Sequence, residues 1–331
     1  MSDSQTIVLP RLRWGILGTG GIARTFAKAI PYSQTGELLA VGSRAVAPAN
    51  KFADEFAIPR RYGSYEALLA DPDVDAVYIA LPNHLHALWI IRCAEAGKHI
   101  LCEKPLTTNA SEAMTAIEAA RRHDVFLMEA FMYRCHPQTA HLAQLVREGA
   151  IGKVRIIQAH FSFNMRGLRL ENIRQQNAAA GGGIMDVGCY CASLARLVAG
   201  AALGQDFAEP IEVKGCGYIG AESRVDEWAT AVLRFPGDIV ANLTTGIQVA
   251  VDSALRVWGS EGHIIAPNPW FPSEKDNVIL VYRDGEKEPR EVRVDADAPL
   301  YAIEADIVAR NLAARQAPAP CMTWEDSLSN M

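Results

Sequence analysis

The hydrophobic pattern changes character partway along the chain. From Arg13 to Glu129, short apolar runs alternate with segments of helical period. The runs Arg13–Leu17, Leu38–Ser43, Ala76–Ala80, His99–Cys102 and Phe126–Glu129 are predicted strands. Between them, helices are predicted from the Gly18 loop to about Ala29, and over Ala47–Phe56, Tyr65–Ala70, His84–Ala96 and Ala110–His123. Gly97 is a natural stop for the fourth of these. Strands alternating with helices imply parallel pairing through crossovers, the doubly wound architecture.

After about Leu145 strands follow one another. Val154–Phe163 alternates, Ala178–Gly183 reads as a small-residue loop, and Ile184–Val198 as an apolar helix. Strands are then predicted at Ile211–Tyr218, Glu227–Phe235, Asp238–Ile247, Ala254–Gly259, Val278–Tyr282 and Glu288–Val294, with a late helix at Leu300–Ala314. Short turns such as Pro236-Gly237-Asp238 suggest an antiparallel sheet. So large a sheet with few helices leaves one face to be covered, which suggests a subunit interface.

The 331 residues suggest two domains at roughly 150 residues each. A net charge of −6 without a Lys/Arg run argues against nucleic acid, and no uninterrupted apolar stretch approaches the ~20 residues of a membrane helix. Met1–Arg13 lacks the pattern of an export signal, so a cytoplasmic protein is expected. Seven cysteines in no framework spacing fit reduced thiols there. The N-terminal arm either covers a cofactor or stays unstructured.

Gly18-Thr19-Gly20-Gly21-Ile22-Ala23 sits between a predicted strand and a predicted helix. Glycines there permit a tight turn and close approach to a pyrophosphate, which the helix N–H groups then face. The second strand ends Gly42-Ser43-Arg44, without the acid that would bind the ribose hydroxyls of NAD. Arg44 and Ser43 instead suit a 2′-phosphate, so NADP(H) is the expected cofactor.

Glu103-Lys104-Pro105 places two charges at the carboxyl end of an apolar strand. Together with the glycine loop and Leu81-Pro82-Asn83-His84-Leu85-His86, it resembles the glucose–fructose oxidoreductase / inositol dehydrogenase / rhizopine-catabolism (Gfo/Idh/MocA) family. The resemblance covers essentially the whole chain. It implies an α/β protein with an N-terminal Rossmann domain, 1–134, and a C-terminal α/β domain, 135–331, carrying a large, mostly antiparallel sheet. It also implies a homodimer or higher homo-oligomer through that sheet, and a Lys–Pro bond that is often cis.

Many relatives place His four residues after the Asp of Gly181-Gly182-Gly183-Ile184-Met185-Asp186, and this chain has Tyr190. That form is similar to glucose–fructose oxidoreductases, NADP-dependent aldose dehydrogenases, aldose–aldose oxidoreductases and dimeric dihydrodiol dehydrogenases. Phe131-Met132-Tyr133-Arg134-x-His136-Pro137 supports the same branch. The expected chemistry is oxidation of an aldose at its anomeric carbon to a lactone. Tyr190 would take the proton, Lys104 would favour its phenolate and the developing alkoxide, and Asp186 would orient sugar hydroxyls. No metal is needed, and His84-x-His86 has no third ligand in view.

By resemblance, Leu81, Asn83, His86, Glu103, Lys104 and Arg134 contact the cofactor. Lys104, Phe163, Arg166, Asp186, Tyr190 and Trp270 bound the substrate pocket, with Tyr301 and Glu304 as weaker candidates. Whether NADP(H) is tightly retained, to reduce a second aldose to an alditol, stays open. So do a dihydrodiol dehydrogenase, a keto-sugar reductase and a non-catalytic nucleotide- or sugar-sensing protein.

Overall fold

The computed structural model describes residues 11–331, and the N-terminal arm lies outside the described residues. Six parallel strands form the first sheet: β1 (Leu12–Leu17), β2 (Gly36–Gly42), β3 (Arg60–Tyr62), β4 (Ala76–Ile79), β5 (His99–Glu103) and β6 (Leu127–Ala130). Their order is β3-β2-β1-β4-β5-β6. The order reverses at β1, so a crevice opens at its carboxyl end. Every residue of β4 is buried, as expected of a strand covered on both faces.

The covering helices include α1 (Gly21–Ala29), α2 (Val46–Phe56), α3 (Tyr65–Leu69), α4 (His86–Glu95) and α5 (Ala110–Arg122). Helix α1 turns Ala23, Phe26 and Ala27 inward, and Phe26 stacks on Tyr78 of β4 at 3.9 Å. Helix α5 begins with a reciprocal cap: Asn109 accepts the Glu112 N–H, and the Glu112 carboxylate accepts the Thr108 N–H. The expected strands lacked β3, whose Arg-Arg-Tyr is polar. It lies at the sheet's edge, where Arg60 pairs with Asp71 at 2.7 Å.

After α6 (Met132–Cys135) and α7 (Pro137–Arg147), the chain enters β7 (Val154–Ser162). Helix α8 (Cys189–Ala202) precedes β8 (Glu212–Ile219), β9 (Asp226–Phe235), β10 (Ile239–Gly246), β11 (Leu255–Gly259), β12 (Gly262–Ala266), β13 (Val278–Arg283) and β14 (Arg290–Arg293). These strands form an eight-stranded sheet, β14-β13-β12-β11-β7-β10-β9-β8. Only the β7–β10 pair is parallel. Helix α8 lies almost wholly in the core, which accounts for its apolar composition. The opposite sheet face carries half-exposed Ile156, Tyr218, Trp228 and Val232.

Three features differ from the sequence expectation. The helix expected from Ile184 begins as a single π turn, Ile184–Gly188, before α8 takes over. Strand β12, missing from the expected set, is a short run after Gly262, whose φ is +149°. The late helix ends earlier, as α9 (Leu300–Arg310).

The chain also does not stay in the second unit after residue 135. Ala305, Val308 and Ala309 of α9 join one hydrophobic cluster with Trp14, Phe26 and Phe126. Trp324 of α10 (Trp324–Asn330) donates its indole N–H to the Leu127 carbonyl at 2.9 Å. The last helices therefore clasp the first sheet.

Candidate active site

The glycine loop closes the crevice at the end of β1. Gly18 has φ +102°, and a Cβ there would lie 2.6 Å from the Ala80 carbonyl oxygen. Glycine is thus required where β1 and β4 meet. A Cβ on Gly20 or Gly21 would meet nothing within 4 Å. The N-terminus of α1 faces that open space, and no side chain caps it. Free N–H groups at an uncapped helix start beside open space suit a dinucleotide pyrophosphate. Ser43 and Arg44 follow β2; Ser43 is buried, its N–H donating to the Tyr62 carbonyl, and Arg44 is exposed.

A cavity of about 380 Å³ continues from this crevice toward the eight-stranded sheet. Ile22, Leu81, Asn83 and Glu103 line it from the first domain, and Phe161, Phe163 and Phe271 from the second. Lys104, Asp186 and Tyr190 lie where the two sides meet. Residues remote in sequence are therefore brought together as expected.

Lys104 follows β5, and its peptide bond to Pro105 is cis, as the resemblance implied. Its Nζ donates to the Asp186 carbonyl at 2.7 Å and reaches Asp186 Oδ1 at 3.3 Å. Burial opposes the ammonium, but Asp186, Cys189 and Glu103 together outweigh it and raise the Lys104 pKa. Burial likewise pushes the Asp186 carboxyl up, but Lys104 and Arg174 prevail and hold it below the usual carboxylate range. Glu103 accepts a hydrogen bond from the Tyr78 hydroxyl. Burial still raises its pKa against the pull of Lys104 and Tyr78.

Tyr190 is placed differently from the expectation. Its hydroxyl lies 3.3 Å from Met132 Sδ. The Lys104 ammonium sits over the ring, 5.1 Å from its centroid, rather than beside the oxygen. Burial drives the phenol well above its ordinary pKa, so a phenolate favoured by Lys104 is not found in this state. The π turn carries Asp186, and α8 starts next to Tyr190, so the two line one wall while their polar atoms diverge.

Other expected residues play supporting parts. His86 is fully buried, with its ring nitrogens 2.8 Å from the Pro105 and Leu81 carbonyls. It ties together two loops that border the cavity and does not itself line it. Burial lowers its pKa despite those two acceptors. Arg134 is 1 % exposed and does not line the cavity. It binds Asp326 at 2.7 Å, Ser193 Oγ at 2.7 Å and the Pro320 carbonyl. Trp270 is buried, stacks on Phe161 and donates to the His160 carbonyl, whereas the adjacent Phe271 lines the cavity. Arg166 is exposed and off the cavity. Tyr301 lines it, but Glu304 is buried away from it, and both its carboxyl oxygens lack a partner among the described residues.

Sequence reasoning missed Arg174. Its Nε donates to Asp186 Oδ2 at 2.7 Å, so Asp186 bridges two cations. Arg174 lies in a loop without periodicity, and only the glycine run that follows hints at a close approach.

Residues 12–131 match the Gfo/Idh/MocA oxidoreductase family, NAD-binding Rossmann fold, and residues 139–265 match the Gfo/Idh/MocA C-terminal domain. The chain is 40% identical over 262 residues to D-xylose 1-dehydrogenase (NADP(+)) 2 of Haloferax volcanii, covering 78% of this chain and 77% of that protein. It is 35% identical to trans-1,2-dihydrobenzene-1,2-diol dehydrogenase of Homo sapiens, over 80% and 77% of the two chains. The crystal structure of aldose–aldose oxidoreductase from Caulobacter crescentus complexed with glycerol superposes with a TM-score of 0.84 at 26% identity, covering 97% of this chain and 94% of that one. With an NAD(P)-binding Rossmann domain joined to a large, mostly antiparallel sheet, this chain belongs to the Gfo/Idh/MocA family of oxidoreductases.

Proposed function

We propose that the protein is an NADP-dependent sugar oxidoreductase that oxidises an aldose at its anomeric carbon to a lactone. The observation that carries this reading is the meeting of Lys104, Asp186 and the Tyr190 ring in one cavity at the open end of the glycine loop. The cofactor, when bound, supplies the hydride acceptor. Gly20 and Gly21 leave room for its phosphates, while Ile22, Leu81 and Asn83 line the adjoining cavity and would hold its reactive ring. Exposed Arg44 next to Ser43 supports NADP over NAD through a charge-assisted contact to the extra phosphate.

The protein's own groups handle the oxygen. Lys104 stays an ammonium and donates to the oxygen as negative charge develops there. Tyr190 is the proton-exchanging group once its hydroxyl turns from Met132 to the substrate oxygen: it gives a proton to that oxygen in reduction and, as phenolate, receives it in oxidation. Its elevated pKa keeps the phenol protonated, the form that reduction needs, and leaves little phenolate to take up a proton in oxidation near neutrality. Asp186 stays ionised and accepts from a sugar hydroxyl. The aromatic walls exclude water and offer flat faces to a sugar's C–H edge.

That aromatic lining also favours a second reading, a dihydrodiol dehydrogenase, because Phe161, Phe163, Phe271 and Tyr301 could enclose an unsaturated ring. Purified protein assayed with NADP+ against D-xylose, D-glucose and trans-1,2-dihydrobenzene-1,2-diol separates the two. Turnover of the diol alone overturns the aldose reading. Lactone plus alditol formed from aldoses without added NADP+ identifies a retained cofactor.

The exposed apolar sheet face supports a homodimer. Tyr218 stacks on Trp228 at 4.4 Å, and His263 on Tyr282 at 4.4 Å, along the face opposite α8. A dimer in sedimentation that dissociates on Val232→Glu is the expected outcome. A wild-type monomer removes the proposal.

A further inference from the structure

We infer that Arg174 is a specificity residue that selects substrates carrying a second hydroxyl beside the one that reacts. The inference rests on the reading of this cavity as a hydroxyl-oxidising site.

The guanidinium is held from several sides. Its Nε is engaged by Asp186 Oδ2 at 2.7 Å, and its Cζ lies 5.9 Å from the centre of the Phe163 ring. Its backbone is fixed as well. The Arg174 N–H donates to Asn172 Oδ1 at 3.0 Å, and its carbonyl accepts the Gly182 N–H at 2.8 Å. A Cβ on Gly181 would lie 2.5 Å from the carbonyl oxygens of both Ile173 and Arg174, so only glycine lets the two strands of this loop close. Asn83 Nδ2 then donates to the Ala180 carbonyl at 2.8 Å, tying the loop to the first domain across the cleft. Arg174 is thus placed by a built device, although its side chain is 44 % exposed.

What remains free is directional. A guanidinium has five N–H donors, and this one uses a single donor on Asp186. Its terminal amino groups have no hydrogen-bond partner among the described residues, and the side chain lines the cavity. Asp186 holds Lys104 on one carboxylate oxygen and Arg174 on the other. The two cations are therefore neighbours across one carboxylate, so two adjacent substrate hydroxyls can meet one cation each. With Lys104 at the reacting oxygen, the Arg174 amino groups and Asp186 meet the neighbouring one. Asp186 can accept its proton while Arg174 donates to its lone pair. A substrate without that second hydroxyl leaves these groups without a partner in the cavity.

The test compares D-glucose with 2-deoxy-D-glucose under NADP+, using wild type, Arg174→Met and Arg174→Lys. Arg174→Met is expected to lower kcat/KM for D-glucose roughly tenfold or more beyond its effect on the deoxy sugar, chiefly through KM, the scale of one hydrogen bond to a charged group. Arg174→Lys restores part of that difference. The NADP+ dissociation constant stays at the wild-type value. Equal proportional losses for both sugars would assign Arg174 a purely structural role and overturn the proposal. If wild type oxidises neither these sugars nor D-xylose, the aldose reading fails separately. Calorimetric binding of trans-1,2-cyclohexanediol against cyclohexanol then decides: a preference for the diol that Arg174→Met abolishes sustains the inference, and no such preference overturns it.

Discussion

Asp326 and Asp186 each bridge two cations, and they serve opposite ends. Asp326 pairs with Arg134 and Arg196 at 2.7 and 2.6 Å, and all three side chains are 3 % exposed or less. Asp186 pairs with Lys104 and Arg174, but it opens onto the cavity and Arg174 reaches solvent. The chemistry of the pairs is alike. What differs is whether anything else can reach them. In the core Arg134 and Arg196 spend their terminal amino groups on joining α6, α8 and α10 and on Glu209, and the one donor atom left over among the described residues, Arg196 Nε, is sealed from solvent and substrate alike. At the cavity, donors remain for a substrate.

The sharpest way to break this comparison is to remove each centre in turn. Asp326→Ala leaves two arginines buried without their carboxylate and is expected to cost about 3–5 kcal/mol of stability in denaturant unfolding. Activity per folded molecule should hold. If that variant unfolds at the wild-type denaturant concentration, the cluster is not the clasp described. Lys104→Met should do the reverse, lowering kcat roughly 10²–10³-fold, while Arg174 still pairs with Asp186 and the loss of stability stays smaller than that of Asp326→Ala. A variant turning over at the wild-type rate would remove Lys104 from the chemistry.

The pH dependence sharpens the cavity side. Asp186 has a depressed pKa, so its charge persists until pH falls through that value. Lys104 has an elevated pKa, so its charge is lost only as pH rises through that one. The ion pair therefore spans the neutral range, and its stabilisation fades at both extremes. Tyr190, raised by burial, must lose a proton for oxidation. We expect oxidative kcat/KM to climb with pH above neutrality and reductive kcat/KM to stay flat before falling. Tyr190→Phe should abolish the climb. An oxidative profile already level at pH 7 would mean that another group accepts the proton. The smallest effect is expected at the exposed edge: Arg44→Ala should weaken NADP+ about tenfold relative to NAD+ in titrations. Unchanged preference would dismiss the phosphate contact.

Much of this is legible in the sequence alone. Gly18 to Ala23 after a strand, and Glu103-Lys104-Pro105 at the end of another, located the crevice, because local sequence determines where a parallel strand stops and a helix starts. Lys104, Asp186 and Tyr190 all reached one cavity. Arg134 and Trp270 did not, although both stand in motifs that bear on the site. Their neighbours Asp326 and Phe161 are distant along the chain, and burial among them could not be read locally. Phe271 took the wall position because the Asn268 side chain grips its backbone N–H and carbonyl, holding it at the cavity.

The sequence by itself determined the strand–helix alternation, the glycine turn and the set of ionisable groups available, since these depend on residues a few places apart. Only the tertiary structure decided which charges face water, which face a cavity and which are sealed inside. It turned the Tyr190 hydroxyl toward Met132 and set Arg174 against Asp186. Such choices depend on desolvation and on partners brought in from far along the chain, and no short stretch of sequence contains either.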